Sequence, residues 1–166
     1  MKEMIFVEAF VNSLKLPRKQ AMFKLNRIGM DMVVIYLFIL LFIVSIPAFI
    51  QQLGLTEGLT GRLPFILKII YFFMFYYLPL TISVFIFISI LSYLGIGISK
   101  MLKRKLRYQI IWKLLAFTTT VPFLIYTILA VIYPISDRYL FLAIIYSTVL
   151  LVLMILKFPK RRVRKT

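Results

Sequence analysis

The chain has no cysteine and no histidine. Without thiols there is no disulfide framework and no thiolate chemistry. Without imidazoles and thiols, the usual ligation of zinc, haem iron and iron–sulfur clusters is gone. Carboxylates are scarce as well. Glu3, Glu8, Asp31, Glu57 and Asp137 are five acids against 21 Lys and Arg. None lies within an apolar run, so the spacing offers neither a carboxylate pair for acid–base work nor a mid-membrane acid to couple ion movement. There is no Gly-rich phosphate loop and no nucleophile elbow, and Gly95 and Gly97 lack the rest of a dinucleotide fingerprint. We therefore expect no enzyme, no cofactor and no metal, and nominate no catalytic, cofactor-binding or metal-ligating residue.

What the chain does have is apolar length. Of its 166 residues 63% are hydrophobic, and mean hydropathy is +1.00. A soluble domain is about 45–50% apolar. A helix rises about 1.5 Å per residue, so about 20 apolar residues cross a hydrocarbon core of about 30 Å. The runs are continuous and do not alternate with period two, which selects helices over a barrel. We expect an all-α integral membrane bundle of four transmembrane helices in one membrane domain. Added to it are an N-terminal and a central interfacial amphipathic helix.

The first span is predicted over 32–50, with Asp31 at its start to accept from free N–H groups. An outer loop follows at 51–63. The second span covers 64–98 and is kinked at Pro79, which lacks an N–H and frees the carbonyl of Phe75. Residues 99–113 form a basic segment lying at the surface, with Tyr108 and Trp112 as interfacial residues. The third span covers 114–133, a tight outer turn 134–138, the fourth span 139–158, and a basic tail 159–166. At the beginning, 1–30 is too charged to span. Phe6, Phe10 and Leu14, with Val7 and Val11, fall at helical spacing. They form a helix that either lies in the interface or packs beneath the bundle. Gly95 and Ser99, four apart, allow close backbone approach.

The basic residues sort by side. Residues 2–27, 100–113 and 157–165 hold six each, and only Arg62, Lys68 and Arg138 fall elsewhere. Four spans put those three stretches on one side, where eighteen cations face Glu3, Glu8 and Asp31, a net of +15; the other side nets +1. The positive-inside rule makes both termini of this inner-membrane protein cytoplasmic. Topology and anionic headgroups then account for the charge, and no nucleic acid is called for.

Two groups of residues remain as candidates. Lys103, Arg104, Lys105, Arg107, Arg161 and Arg162 are placed to contact anionic lipid or a membrane-protein partner. Tyr76, Thr118 and Thr119 could line a cavity. The bland reading of the threonines is that they re-satisfy backbone carbonyls beside Pro122, and of Tyr76 that it belongs to an outer tyrosine belt.

The order of features resembles a bacterial membrane family, domain of unknown function 1189, some members of which carry the label maltodextrin-utilisation protein. The resemblance runs through Phe10 to Leu14, then Pro17, Arg18, Lys19, Phe23, Lys24, Arg27 and Gly29. It continues at Lys103 to Gln109 with Trp112 and Lys113, and at Ala116 to Pro122. It implies a multi-span plasma-membrane protein with no established reaction, here with a shortened extracytoplasmic segment between the first two spans. The functional expectation is an accessory, scaffold or regulator of a transport or envelope system. The alternative is a small permease or lipid-handling protein.

Overall fold

A charge-free run in hydrocarbon can satisfy its peptide groups only internally, and the chain is helical throughout its described apolar stretches. The computed structural model describes residues 2–54, 63–104, 106–132 and 138–159, with the backbone alone for 2–5, 138, 140 and 141. Two short helices come first, α1 (Lys2–Leu14) and α2 (Lys19–Arg27). Then come α3 (Met30–Gly54), α4 (Phe65–Phe72) and α5 (Leu78–Met101). Last are α6 (Tyr108–Thr118), α7 (Thr120–Ile132) and α8 (Arg138–Lys157). Three units are long and apolar enough to cross a membrane: Met30–Gly54, Phe65–Met101 and Tyr108–Ile132. The expected fourth span is α8, twenty residues long.

The boundaries differ from those expected in physically instructive ways. The first span continues through Gln51 and Gln52 to Gly54, because nothing in that polar turn stops a helix before the glycine. Pro79 does not simply bend its helix. A π turn over Phe73–Tyr77 joins α4 to α5, and the Leu78 N–H reaches back to the Phe73 carbonyl. The wider turn absorbs one extra residue just before the position that cannot donate. Its aromatic side chains are tied to α3: Phe73 stacks on Phe42 at 6.2 Å, and the Tyr77 hydroxyl donates to the Phe38 carbonyl at 3.0 Å.

Among the described residues of 99–113, the expected surface helix is not a separate element. α5 runs to Met101, a turn follows, and Tyr108 already begins the third span. Trp112, expected at an interface, is buried in the bundle, where its indole N–H donates to the Ser89 hydroxyl at 3.2 Å. The last lysine before the apolar run marks the wrong boundary because Lys113 turns inward (below). At Thr119 the third span changes from α6 to α7, with Pro122 buried one turn on.

α3 packs against α7, α5 against α6, and α8 against α5, α6 and α7. The core is an apolar layer that includes Leu37, Ile88, Ile111, Leu115, Phe117, Leu151 and Met154. Gly95 sits where α5, α6 and α8 converge. A Cβ there would lie 2.9 Å from Ile111 Cγ2 and 3.1 Å from a Leu151 methyl. Gly97, two residues on, has open space around it.

Of the two placements open to α1, the helix takes the packed one, and it does so with its small and polar face. Ala9, Asn12 and Ser13 are buried against the bundle, whereas Val7, Phe10, Val11 and Leu14 are exposed. A soluble amphipathic helix does the reverse. The outward apolar stripe suits a helix wedged between the bundle and the lipid boundary.

Candidate functional site

One end of the bundle gathers the start of α2, the turn after α5, the first turns of α6 and the end of α8. We call it the basic end. Three of its cations reach back to other elements, each to carbonyls that a helix end or turn leaves without partners. Lys113 Nζ donates to the carbonyls of Asn26 at 2.6 Å and Ile28 at 3.0 Å, closing the C-terminus of α2. Arg104 Nη1 donates to the Phe158 carbonyl at the end of α8, and Lys157 Nζ donates to the Pro17 carbonyl. Each places positive charge where a terminus or turn presents free carbonyls, and at the two helix ends it also meets the negative end of the dipole.

The turn after α5 is built to deliver Arg104. The Arg104 N–H bonds the Ser99 carbonyl at 2.8 Å and the Lys103 N–H bonds the Lys100 carbonyl at 3.0 Å. This pair of bonds is a Schellman cap. It puts Lys103 in the left-handed region at φ 52°, where glycine is the usual residue. The Ser99 hydroxyl adds a bond to the Arg104 carbonyl at 3.1 Å.

The predicted cations therefore divide. Arg104 is a structural clamp, half-buried, while Lys103 and Arg107 are exposed with Lys100 beside them. Lys105, Arg161 and Arg162 lie outside the described residues. Exposed Arg18, Lys19, Lys24 and Arg27 extend the basic surface onto α2. Sequence reasoning missed the capping roles of Lys113 and Lys157, because a cation near a span end looks the same whether it seeks headgroups or a carbonyl.

The second predicted group is not brought together. Thr118 and Thr119 are buried, and their hydroxyls donate to the carbonyls of Leu115 and Ala116, both at 2.7 Å. Thr120 is the member that reaches across: its hydroxyl pairs with the Tyr36 hydroxyl at 2.8 Å and ties α7 to α3. Tyr76 is half-buried and stacks on Phe72 at 5.2 Å. None of the three lines the following cavities. An apolar groove of about 480 Å³ lies between α3 and the π turn, beside Phe38, Tyr77 and Thr81. A second, of about 220 Å³, lies between α7 and α8. A third, of about 380 Å³, is different in kind: Glu8, Asn12, Lys24 and Arg27 line it along with Ile28, Gly29 and Met32.

Apolar helices of spanning length around an apolar core define a multi-pass helical membrane protein. The family follows from the chain itself: residues 55–155 match the family model described as protein of unknown function (DUF1189), and the chain belongs to that family. The match takes in the Lys103 to Gln109 and Ala116 to Pro122 motifs, while the Phe10 to Gly29 residues precede it. No curated protein and no solved structure matches the chain.

Proposed function

We propose that this protein is a non-enzymatic scaffold or regulator within a transport or envelope system of the bacterial plasma membrane, with both termini cytoplasmic. The observation that carries this reading is the division of labour at the basic end. Lys113, Arg104 and Lys157 are used to hold helix ends and a turn together. Lys100, Lys103 and Arg107 around the turn after α5, and Arg18, Lys19 and Arg27 beside and along α2, are exposed. Such a collar attracts anionic headgroups and an acidic segment of a membrane-protein partner. Within the spans, hydroxyls are turned to backbone instead: Thr81, Ser89, Ser92 and Thr127 all donate to the carbonyl four residues back. Polar groups used in this way stabilise helices and leave the lipid-facing surfaces for packing.

The test is crosslinking followed by purification of the tagged protein at native expression. A defined membrane-protein partner is expected, and its recovery drops when Lys100, Lys103 and Arg107 are replaced by Gln. Recovery of this chain alone would overturn the proposal.

A further inference from the structure

The third cavity stands apart from the rest of the basic end by the acid in its lining. On a side where eighteen cations are expected to face three carboxylates, one of those carboxylates lines this pocket. Glu8 lines it from α1. Asp31 folds back over Gly29, so that a Cβ on that glycine would meet Asp31 Oδ1 at 2.3 Å. Lys24 and Arg27 line the pocket from α2. The pocket thus carries both signs, two cations and one acid, inside a strongly positive surface. Mixed charge of this kind matches a ligand carrying both signs. A purely anionic ligand finds better sites everywhere around it.

The surroundings say what the ligand is attached to. Gly29 immediately precedes α3, and Met32 is in that helix's first turn, so the pocket sits at the edge of the hydrocarbon layer. From Met32 an exposed apolar stripe of Ile35, Ile39, Ile43 and Ile46 continues along the same face of α3 into the membrane. A polar pocket that opens onto an apolar track fits a headgroup with its acyl chain. A soluble phosphate compound would leave that track unused. The cavity's volume of about 380 Å³ lies in the range of small-ligand sites, about 300–1,000 Å³.

We propose that this pocket is a phospholipid site selective for a phosphoethanolamine headgroup. Lys24 and Arg27 hold the phosphate. Glu8 receives the ammonium. The present partner of Glu8 is Lys24, at 3.6 Å with both side chains more than half exposed. An exposed ion pair of that kind costs little to open. The Lys24 ammonium then turns to the phosphate while the ligand's own ammonium replaces it at Glu8. This site goes beyond the scaffold role and does not depend on it, since the lipid would bind whether or not a partner docks.

The experiment is native mass spectrometry of the full chain in dodecyl maltoside, with dioleoyl phosphatidylethanolamine and dioleoyl phosphatidylglycerol added in equal amounts. The wild-type chain is expected to retain the ethanolamine lipid preferentially. Glu8→Gln lowers the ethanolamine-to-glycerol ratio about fivefold, the scale of one lost surface charge contact. The double variant Lys24→Gln with Arg27→Gln lowers retention of both lipids, whereas Arg18→Gln with Lys19→Gln leaves the ratio unchanged. Soluble glycerophosphoethanolamine at equal concentration does not displace the lipid. The proposal fails if Glu8→Gln leaves the ratio as it was, if the Arg18 and Lys19 control matches the Lys24 and Arg27 variant, or if the soluble compound displaces the lipid. Should the double variant precipitate, Glu8→Gln keeps shape and both cations and decides the matter alone.

Discussion

The basic end and the middle of the bundle solve the same problem by opposite means. Both contain backbone carbonyls and polar side chains that have to find partners. In the middle, many serine and threonine hydroxyls donate to carbonyls three or four residues back, and side-chain pairs that cross between helices, such as Tyr36 with Thr120 and Trp112 with Ser89, are neutral. At the basic end, charged side chains travel between elements to close helix termini and a turn: Lys113 to α2, Arg104 to α8, Lys157 to the turn after α1. The middle is held by fit, the end by charge-assisted hydrogen bonds. Mutations should therefore act through volume in one region and through loss of capping in the other.

The largest effect is expected where fit is tightest. Gly95→Leu forces a side chain into the contact with Ile111 and Leu151 and should destabilise by about 3 kcal/mol, the upper range of overpacking. Gly97→Leu, into open space, should change stability by less than about 0.5 kcal/mol. Unfolding in detergent by denaturant titration separates the two, and equal effects would break the distinction. At the basic end, Arg104→Ala removes a charge-assisted bond to a helix terminus and should cost about 1–2 kcal/mol. The same assay applies, and the cost should change little on adding salt if the contact is sheltered. Smallest and of opposite sign, Lys103→Gly relieves a left-handed residue and should stabilise by about 1 kcal/mol. No gain there would mean the turn is not the cap described.

Apolar length and charge placement make the helical bundle and its spans legible in the sequence. So is the small-residue contact at Gly95, because spacing alone marks a face of a helix. Three features are not legible, each for a physical reason. The turn after α5 reads as a surface helix because Lys, Arg, Leu and Ile there satisfy helix patterning, and the left-handed Lys103 carries no signature of its own. Trp112 reads as interfacial because the adjacent Lys113 mimics the end of the hydrocarbon region, whereas that lysine caps α2. The Phe10 and Leu14 stripe is visible as a helix face, but periodicity cannot say whether the face turns to protein or lipid. Among the candidate residues, Arg104 is a clamp, and Thr120 rather than Thr118 or Thr119 makes the contact between spans.

The central proposal is that every basic stretch lies on one side of four spans. Because the chain has no cysteine of its own, single cysteines can test this directly. Exposed positions Gln20, Gln109 and Pro159 report the basic end, and Gly54 and Pro64 report the opposite end. With a membrane-impermeant maleimide on intact cells, cysteines at Gly54 and Pro64 should label, and those at Gln20, Gln109 and Pro159 should label only after lysis. Labelling of any of those three in intact cells would contradict this topology.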